Sequence, residues 1–173
     1  MSKTILQFIF KCVVLILAQV VIFNNIVLFN AVVPFVFIYI IISAPVTWSV
    51  NVVLTIGFFS GMAVDAFSNT QGVNALACTV LAFLRSPVFY LYMQHDDDLS
   101  GLKPSQRSMG FPAFMKYTLT MVLVYCLLVF GIDAFAVFSP GRFVLQVLGS
   151  TAFTTILIYA LDSIFTRQHE KRL

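Results

Sequence analysis

Residues 57–76 read GFFSGMAVDAFSNTQGVNAL, and how they are read decides the fold. A hydrophobic run with two glycines leads in, the polar turn SNTQG (68–72) divides the stretch, and a second hydrophobic run leads out. Two apolar segments joined by so short a turn predict an antiparallel helical hairpin. The residue that needs an account is Asp65, because an ionised carboxylate in apolar surroundings is costly unless it is hydrogen-bonded or paired. On a helix turning 100° per residue, Gly57, Gly61, Asp65 and Ser68 fall within an arc of ~80°. Gly57 and Gly61 form a GxxxG pair, whose missing side chains let another helix approach closely. Asp65 therefore lies on a small-residue face directed at protein, one turn before the exposed loop, where a charge is less costly.

On the second run Asn74, Cys78, Ala82 and Arg85 share a face by the same arithmetic, and the tight turn brings Asn74 within reach of Asp65. Ser68 and Asn69 are expected to cap the junction through side-chain bonds to open backbone groups. Asp65, Ser68, Asn69, Gly72 and Asn74 are thus the expected polar centre of the hairpin. Two accounts of Asp65 are open: a binding, proton-relay or catalytic group, or a turn-stabilising carboxylate satisfied by local donors. The Asx-, Ser- and Gly-rich turn beside it favours the second.

The whole chain has the same character. Of its 173 residues 60% are hydrophobic and only 10% charged, with a mean hydropathy of +0.98; soluble domains are nearer half apolar and about a quarter charged. Several runs approach or exceed the ~18 apolar residues of a membrane-spanning helix, which predicts a polytopic integral membrane protein. Runs such as VVLILAQVVIF (13–23) are apolar on every face, unlike the alternating segments of a β-barrel. The start, MSKTILQFIFKCVVLILAQVV, has a long apolar core without a small-x-small cleavage site and reads as a retained first span. The net charge of +3 follows from basic residues on cytoplasmic loops and needs no nucleic acid. Cys12, Cys78 and Cys126 lie in apolar runs without CxxC spacing or a nearby histidine, so they read as packing residues.

Six spans are predicted, at about 4–23, 30–45, 50–67, 73–92, 113–132 and 143–165, forming one transmembrane domain over 1–173. The short second span would also read, with the third, as a hairpin of tilted or re-entrant helices; the charge pattern favours six full crossings. Lys3, Lys103, Arg107, Lys116, Arg167, Lys171 and Arg172 fall on one side, and Arg142 alone on the other. The positive-inside rule then places both termini in the cytoplasm. No internal repeat suggests an inverted-repeat transporter.

Arg85 sits deep in the fourth span, with Pro87 following to weaken the helix. It either snorkels to the cytoplasmic interface or forms an intramembrane ion pair with Asp162; Lys11 is expected to snorkel. Gln146, Ser150 and Thr154 form a ridge with Gly149 suited to interhelical contact. Gly57, Gly61, Gly149 and Ser150 are the expected helix-packing and partner-interface residues. Asp96-Asp97-Asp98 lacks the alternating spacing of a calcium loop and reads as a solvated patch. There is no nucleophile elbow, HExxH or phosphate loop, and neither histidine lies in a span. An aspartyl protease needs two carboxylates at one depth, whereas Asp65 and Asp162 are expected at opposite faces. Neither catalysis, metal nor cofactor is expected.

The pattern G-x3-D-x2-S-x3-G-x2-A-L, met by Gly61, Asp65, Ser68, Gly72, Ala75 and Leu76, resembles the bacterial rod-shape-determining MreD family. The match is specific over spans three and four; elsewhere it is one of length, hydropathy and basic ends. The resemblance implies a non-enzymatic inner-membrane scaffold of the cell-elongation machinery, supporting lateral peptidoglycan synthesis and cell shape. It implies an MreC-like bitopic partner and, through it, an MreB-like filament and peptidoglycan synthases. The implied fold is a six-helix bundle similar to the S-component of energy-coupling-factor transporters. The alternative expectation is a small-molecule-binding, S-component-like subunit of a membrane transporter.

Overall fold

The structure, a computed structural model, describes residues 2–23, 32–93, 104–134 and 140–170, without the side chains of 2–5, 7, 107 and 165–170. The loop around Asn24-Asn25, the start of the expected second span, Asp96-Asp97-Asp98, Lys103, Lys171 and Arg172 lie outside those residues. Helix α1 (Ser2–Val21) is followed by a 3-10 turn (Val36–Ile38) that runs into the one-turn helix α2 (Tyr39–Ile42). Then come α3 (Val50–Ser68), α4 (Val73–Tyr92), the short α5 (Gln106–Met109), α6 (Phe111–Ala134) and α7 (Pro140–Glu170). No strand occurs among the described residues.

Helices α3, α4 and α6, and the Pro140–Ile164 part of α7, are long and apolar enough to cross a membrane. At 1.5 Å per residue, α3 and α4 measure roughly 30 Å, the thickness of the hydrocarbon core. The chain is therefore an all-helical, multi-pass membrane protein. Their apolar residues are spread around the helix, so each can meet protein on one side and lipid on the other: Phe58, Phe59, Leu76, Phe83, Leu148 and Ile156 point outward.

The expected second span is where the structure departs from the sequence reading. Its described part is not a helix over 30–45. Residues 33–35 carry no regular structure, and helical turns begin only at Val36 and end at Ile42. Pro34 explains the break: it has no N–H to donate, and it drives the preceding Val33 away from helical geometry. The segment nevertheless lies at the centre of the bundle, where no residue of Val36–Ile42 is more than 2% exposed. Phe35 and Phe37 set their rings edge-on to Tyr125 of α6, and Phe35 meets Phe130 in the same way. Helices α1, α3, α4 and α7 contact this inner segment, α6 meets it through Tyr125 and Phe130, and α3 packs along α4.

Candidate functional site

Most of the buried polar side chains described in the bundle gather at two joints. The first is the α3–α4 turn. Helix α3 is closed by Asn69, whose N–H bonds the Asp65 carbonyl and whose left-handed φ of 54° turns the chain so that the Thr70 N–H meets the same carbonyl (3.3 Å). Gly72 opens α4 with a φ of 79°, a conformation that glycine adopts without strain. Gly72 also lacks a side chain, so nothing at the usual capping position can meet the free N–H groups of the first turn. Asp65 supplies the acceptor from the preceding helix. Its Oδ1 accepts from the Asn74 backbone N–H (3.1 Å), from Asn74 Nδ2 (2.8 Å) and from the Thr70 hydroxyl. Its Oδ2 accepts from the Ala75 N–H (2.8 Å). The carboxylate thus caps α4 from α3, and its charge faces the positive end of the helix dipole. Asn74 extends the network inward, accepting at Oδ1 from the fully buried Tyr125 hydroxyl.

The approach of the two helices depends on the glycines. A Cβ on Gly61 would lie 2.5 Å from both the Asn74 carbonyl oxygen and the Ala75 Cα, and one on Gly57 would lie 3.0 Å from the Cys78 carbonyl oxygen. The GxxxG face is therefore occupied by α4 of the same chain. That corrects its expected use as a partner interface: a face covered by a neighbouring backbone offers nothing to a second protein. Gly149 likewise faces Val32, 2.5 Å from its would-be Cβ, and Ser150 accepts at Oγ from the Val33 N–H (3.0 Å).

The second joint is the set of side chains that hold the inner segment. Non-helical backbone at membrane depth survives only where its polar groups find partners in protein or water, and here side chains of α1, α4, α6 and α7 supply such partners. Gln19 of α1 donates from Nε2 to the Pro34 carbonyl (2.9 Å) and accepts at Oε1 from the N–H groups of Val36 (2.8 Å) and Phe37 (3.4 Å). Thr154 of α7 accepts from the Phe35 N–H (3.1 Å). At the other end, Arg85 donates from Nη2 to the Ala44 carbonyl, and the Tyr117 hydroxyl lies 3.5 Å from the Ile42 carbonyl. Lys11 donates to Ser43 Oγ (2.7 Å) and stands 3.8 Å above the centre of the Tyr39 ring. Asp162 accepts from the Tyr39 hydroxyl (2.7 Å) and, with its other oxygen, from the Gln106 N–H of α5 (2.9 Å).

The structure does not form the expected Arg85–Asp162 ion pair. Both residues are buried, yet each takes neutral partners on a different part of the inner segment. The inner segment lies between them: Arg85 Nη2 takes the Ala44 carbonyl, leaving its buried Nε without a partner among the described residues, while Asp162 is filled by the Tyr39 hydroxyl and the Gln106 N–H. Lys11 turns inward to Ser43 and Tyr39 rather than only snorkelling. Ser68 is half-buried in the last turn of α3, and Asn69 serves the turn through its backbone.

The sequence reading missed Gln19, Thr70, Tyr39, Tyr117 and Tyr125 as members of these networks. Gln19 had a legible signal, being the lone amide in VVLILAQVVIF. The tyrosines did not, because an aromatic in an apolar run looks the same whether or not its hydroxyl has a partner.

An open groove of about 760 Å³ lies along the hairpin, lined by Phe58, Met62, Asp65, Gln71, Leu76 and Val80 among others. Its walls are mostly apolar, and both oxygens of the Asp65 carboxylate are already engaged by internal donors. Among the described residues no group of His, Cys, Asp and Glu is arranged to hold a metal ion. No known family model matches the chain, and no curated protein or solved structure matches it.

Proposed function

We propose that the chain is a non-enzymatic scaffold subunit of the bacterial cell-elongation machinery, of the MreD type, binding an MreC-like bitopic partner in the cytoplasmic membrane. Through that partner it would act with an MreB-like filament and the synthases of lateral peptidoglycan. Both termini would face the cytoplasm, and the bundle would be of the S-component kind.

The observation that carries this reading is the joint work of the motif residues. Gly61 admits the α4 backbone, Asp65 caps α4, Gly72 makes the turn, and Ala75 donates to the Asp65 carboxylate. A motif whose polar capacity is filled internally suits a rigid element that presents its outer faces for recognition. Because Gly57 and Gly61 are enclosed, partner contacts belong to the lipid-facing surfaces. Those surfaces carry exposed apolar side chains such as Phe59, Phe83 and Leu148.

The alternative, a small-molecule-binding transporter subunit, draws support from the hairpin groove. It is the weaker reading because the one charged group lining that groove has its oxygens engaged.

Affinity purification of the full chain from native membranes, with identification of what accompanies it, separates the two. The expected result is co-purification of a single-span MreC-like protein. Co-purification of an ATPase, together with a retained metabolite, would overturn the scaffold reading in favour of transport.

A further inference from the structure

We propose that the groove along the α3–α4 hairpin binds one phospholipid with an amine-bearing head group, taken from the leaflet on the side of the SNTQG turn. The proposal goes beyond the scaffold reading and does not depend on it.

The argument begins with where the groove lies. Helices α3 and α4 each measure roughly 30 Å, the depth of the hydrocarbon core, so the turn that joins them stands at one membrane surface. The lining starts at that turn, with the exposed Asn69, Thr70 and Gln71. It runs back along α3 to Phe58 and forward along α4 to Val80, roughly 12–17 Å at 1.5 Å per residue. That is the depth of one leaflet, about half of the ~30 Å core. A partner's transmembrane helix runs the full depth, and a groove that stops midway does not seat one. An acyl chain entering from one leaflet stops midway too.

The chemistry of the lining changes along the same axis. Side-chain amides are confined to the turn, and below it Phe58, Met62, Leu76 and Val80 form the walls. Phe58, Met62 and Leu76 are exposed on the outer surface of the bundle, so hydrocarbon reaches the groove sideways. Thr79 turns its hydroxyl to the Ala75 carbonyl (2.8 Å) and leaves the trough apolar. A polar mouth above an apolar trough matches a lipid, with its head at the surface and its tail inside. The volume of about 760 Å³ falls within the roughly 300–1,000 Å³ of small-molecule sites, and an unfilled hollow would forfeit the dispersion contacts of its walls.

Charge selects the head group. Asp65 is the one charged residue of the lining, and among the described residues no Lys or Arg lines the groove. Its oxygens are held by Asn74 and Ala75, so it acts on the head group through its field rather than through a bond. The dipole of α4 offsets only about half of that charge. An ammonium is therefore drawn to the mouth, and a head group of net negative charge is repelled. The Asn69 and Gln71 amides have donors for phosphate and ester oxygens.

The test uses the full chain in nanodiscs of phosphatidylethanolamine and phosphatidylglycerol in equal amounts, released into mild detergent and weighed by native mass spectrometry. The expected result is one phosphatidylethanolamine retained per chain, several-fold in excess over phosphatidylglycerol. Ala66→Phe fills the groove from α3 and should lower retention about tenfold or more. Thr79→Leu fills it from α4 and should act in the same direction; neither residue bonds to Asp65. Absence of retained lipid, or retention undiminished in both variants, would overturn the site. Phosphatidylglycerol retained equally or in excess would overturn the head-group assignment. A benzophenone side chain in place of Leu76 should label lipid in native membranes, and an adduct with another protein there would overturn the lipid in favour of a partner helix.

Discussion

The capping role of Asp65 makes a graded prediction that separates hydrogen bonding from charge. In Asp65→Asn the side-chain carbonyl can take the Oδ1 position and keep the donors from Asn74 and Thr70. The amide nitrogen then faces the Ala75 N–H that Oδ2 accepted, leaving two donors opposed. One lost bond and an unpaired buried donor cost about 1–3 kcal/mol, and loss of the charge at the helix N-terminus adds about 0.3–2 kcal/mol. In Asp65→Leu all four donors lose their acceptor. Thr70 is exposed and turns to water, and Asn74 Nδ2 keeps the Thr70 hydroxyl oxygen (3.2 Å), but the backbone N–H groups of Asn74 and Ala75 stay behind in a buried site. At about 1–3 kcal/mol each the loss is roughly 2–6 kcal/mol, a large share of the stability of a typical domain at about 5–15 kcal/mol.

Thermal unfolding of the purified chain in one fixed detergent should therefore rank wild type above Asp65→Asn, and Asp65→Asn well above Asp65→Leu. Hydrogen exchange at the first turn of α4 should accelerate in the same order. Equal loss in the two variants would show that charge, not bonding capacity, is what the site needs. A Leu variant that melts with the wild type would refute the cap itself.

Two further predictions test the packing and the second joint. Gly61→Ala should lower stability by about 1–3 kcal/mol or more, because its Cβ would meet backbone atoms at 2.5 Å and overpacking of that kind forces helices apart. Gly57→Ala, with contacts of 3.0 and 3.2 Å, should lose less in the same melt, and the reverse order would contradict the close approach at Gly61. Arg85→Asp and Asp162→Arg should each destabilise the chain, and combining them should give no rescue, because the two residues bond to the inner segment and not to each other. A double variant clearly more stable than either single one would restore the ion pair as the right account.

The sequence carried a good deal of this. Hydropathy alone marks the third to sixth spans, since a run of apolar residues long enough to cross lipid has few alternatives to a helix. The hairpin was legible in finer detail. Helical periodicity put Gly57, Gly61 and Asp65 on one face, and the brevity of SNTQG placed Asn74 beside the carboxylate. Both are local relations, fixed by spacing within about twenty residues.

The tertiary structure decided what local relations cannot. Which helix the glycine face meets depends on global packing, and it proved to be α4 of the same chain. The second span fails as a helix because its backbone finds acceptors and donors on α1 and α7, at sequence separations of 15 to 119 residues, and no local pattern announces such partners. For the same reason Arg85 and Asp162 look complementary in sequence, yet Arg85 bonds the Ala44 carbonyl and Asp162 bonds the Tyr39 hydroxyl and the Gln106 N–H. Composition settles that this chain lives in a membrane as helices. The distribution of its buried hydrogen bonds, which only the folded bundle reveals, settles which polar residues hold it together.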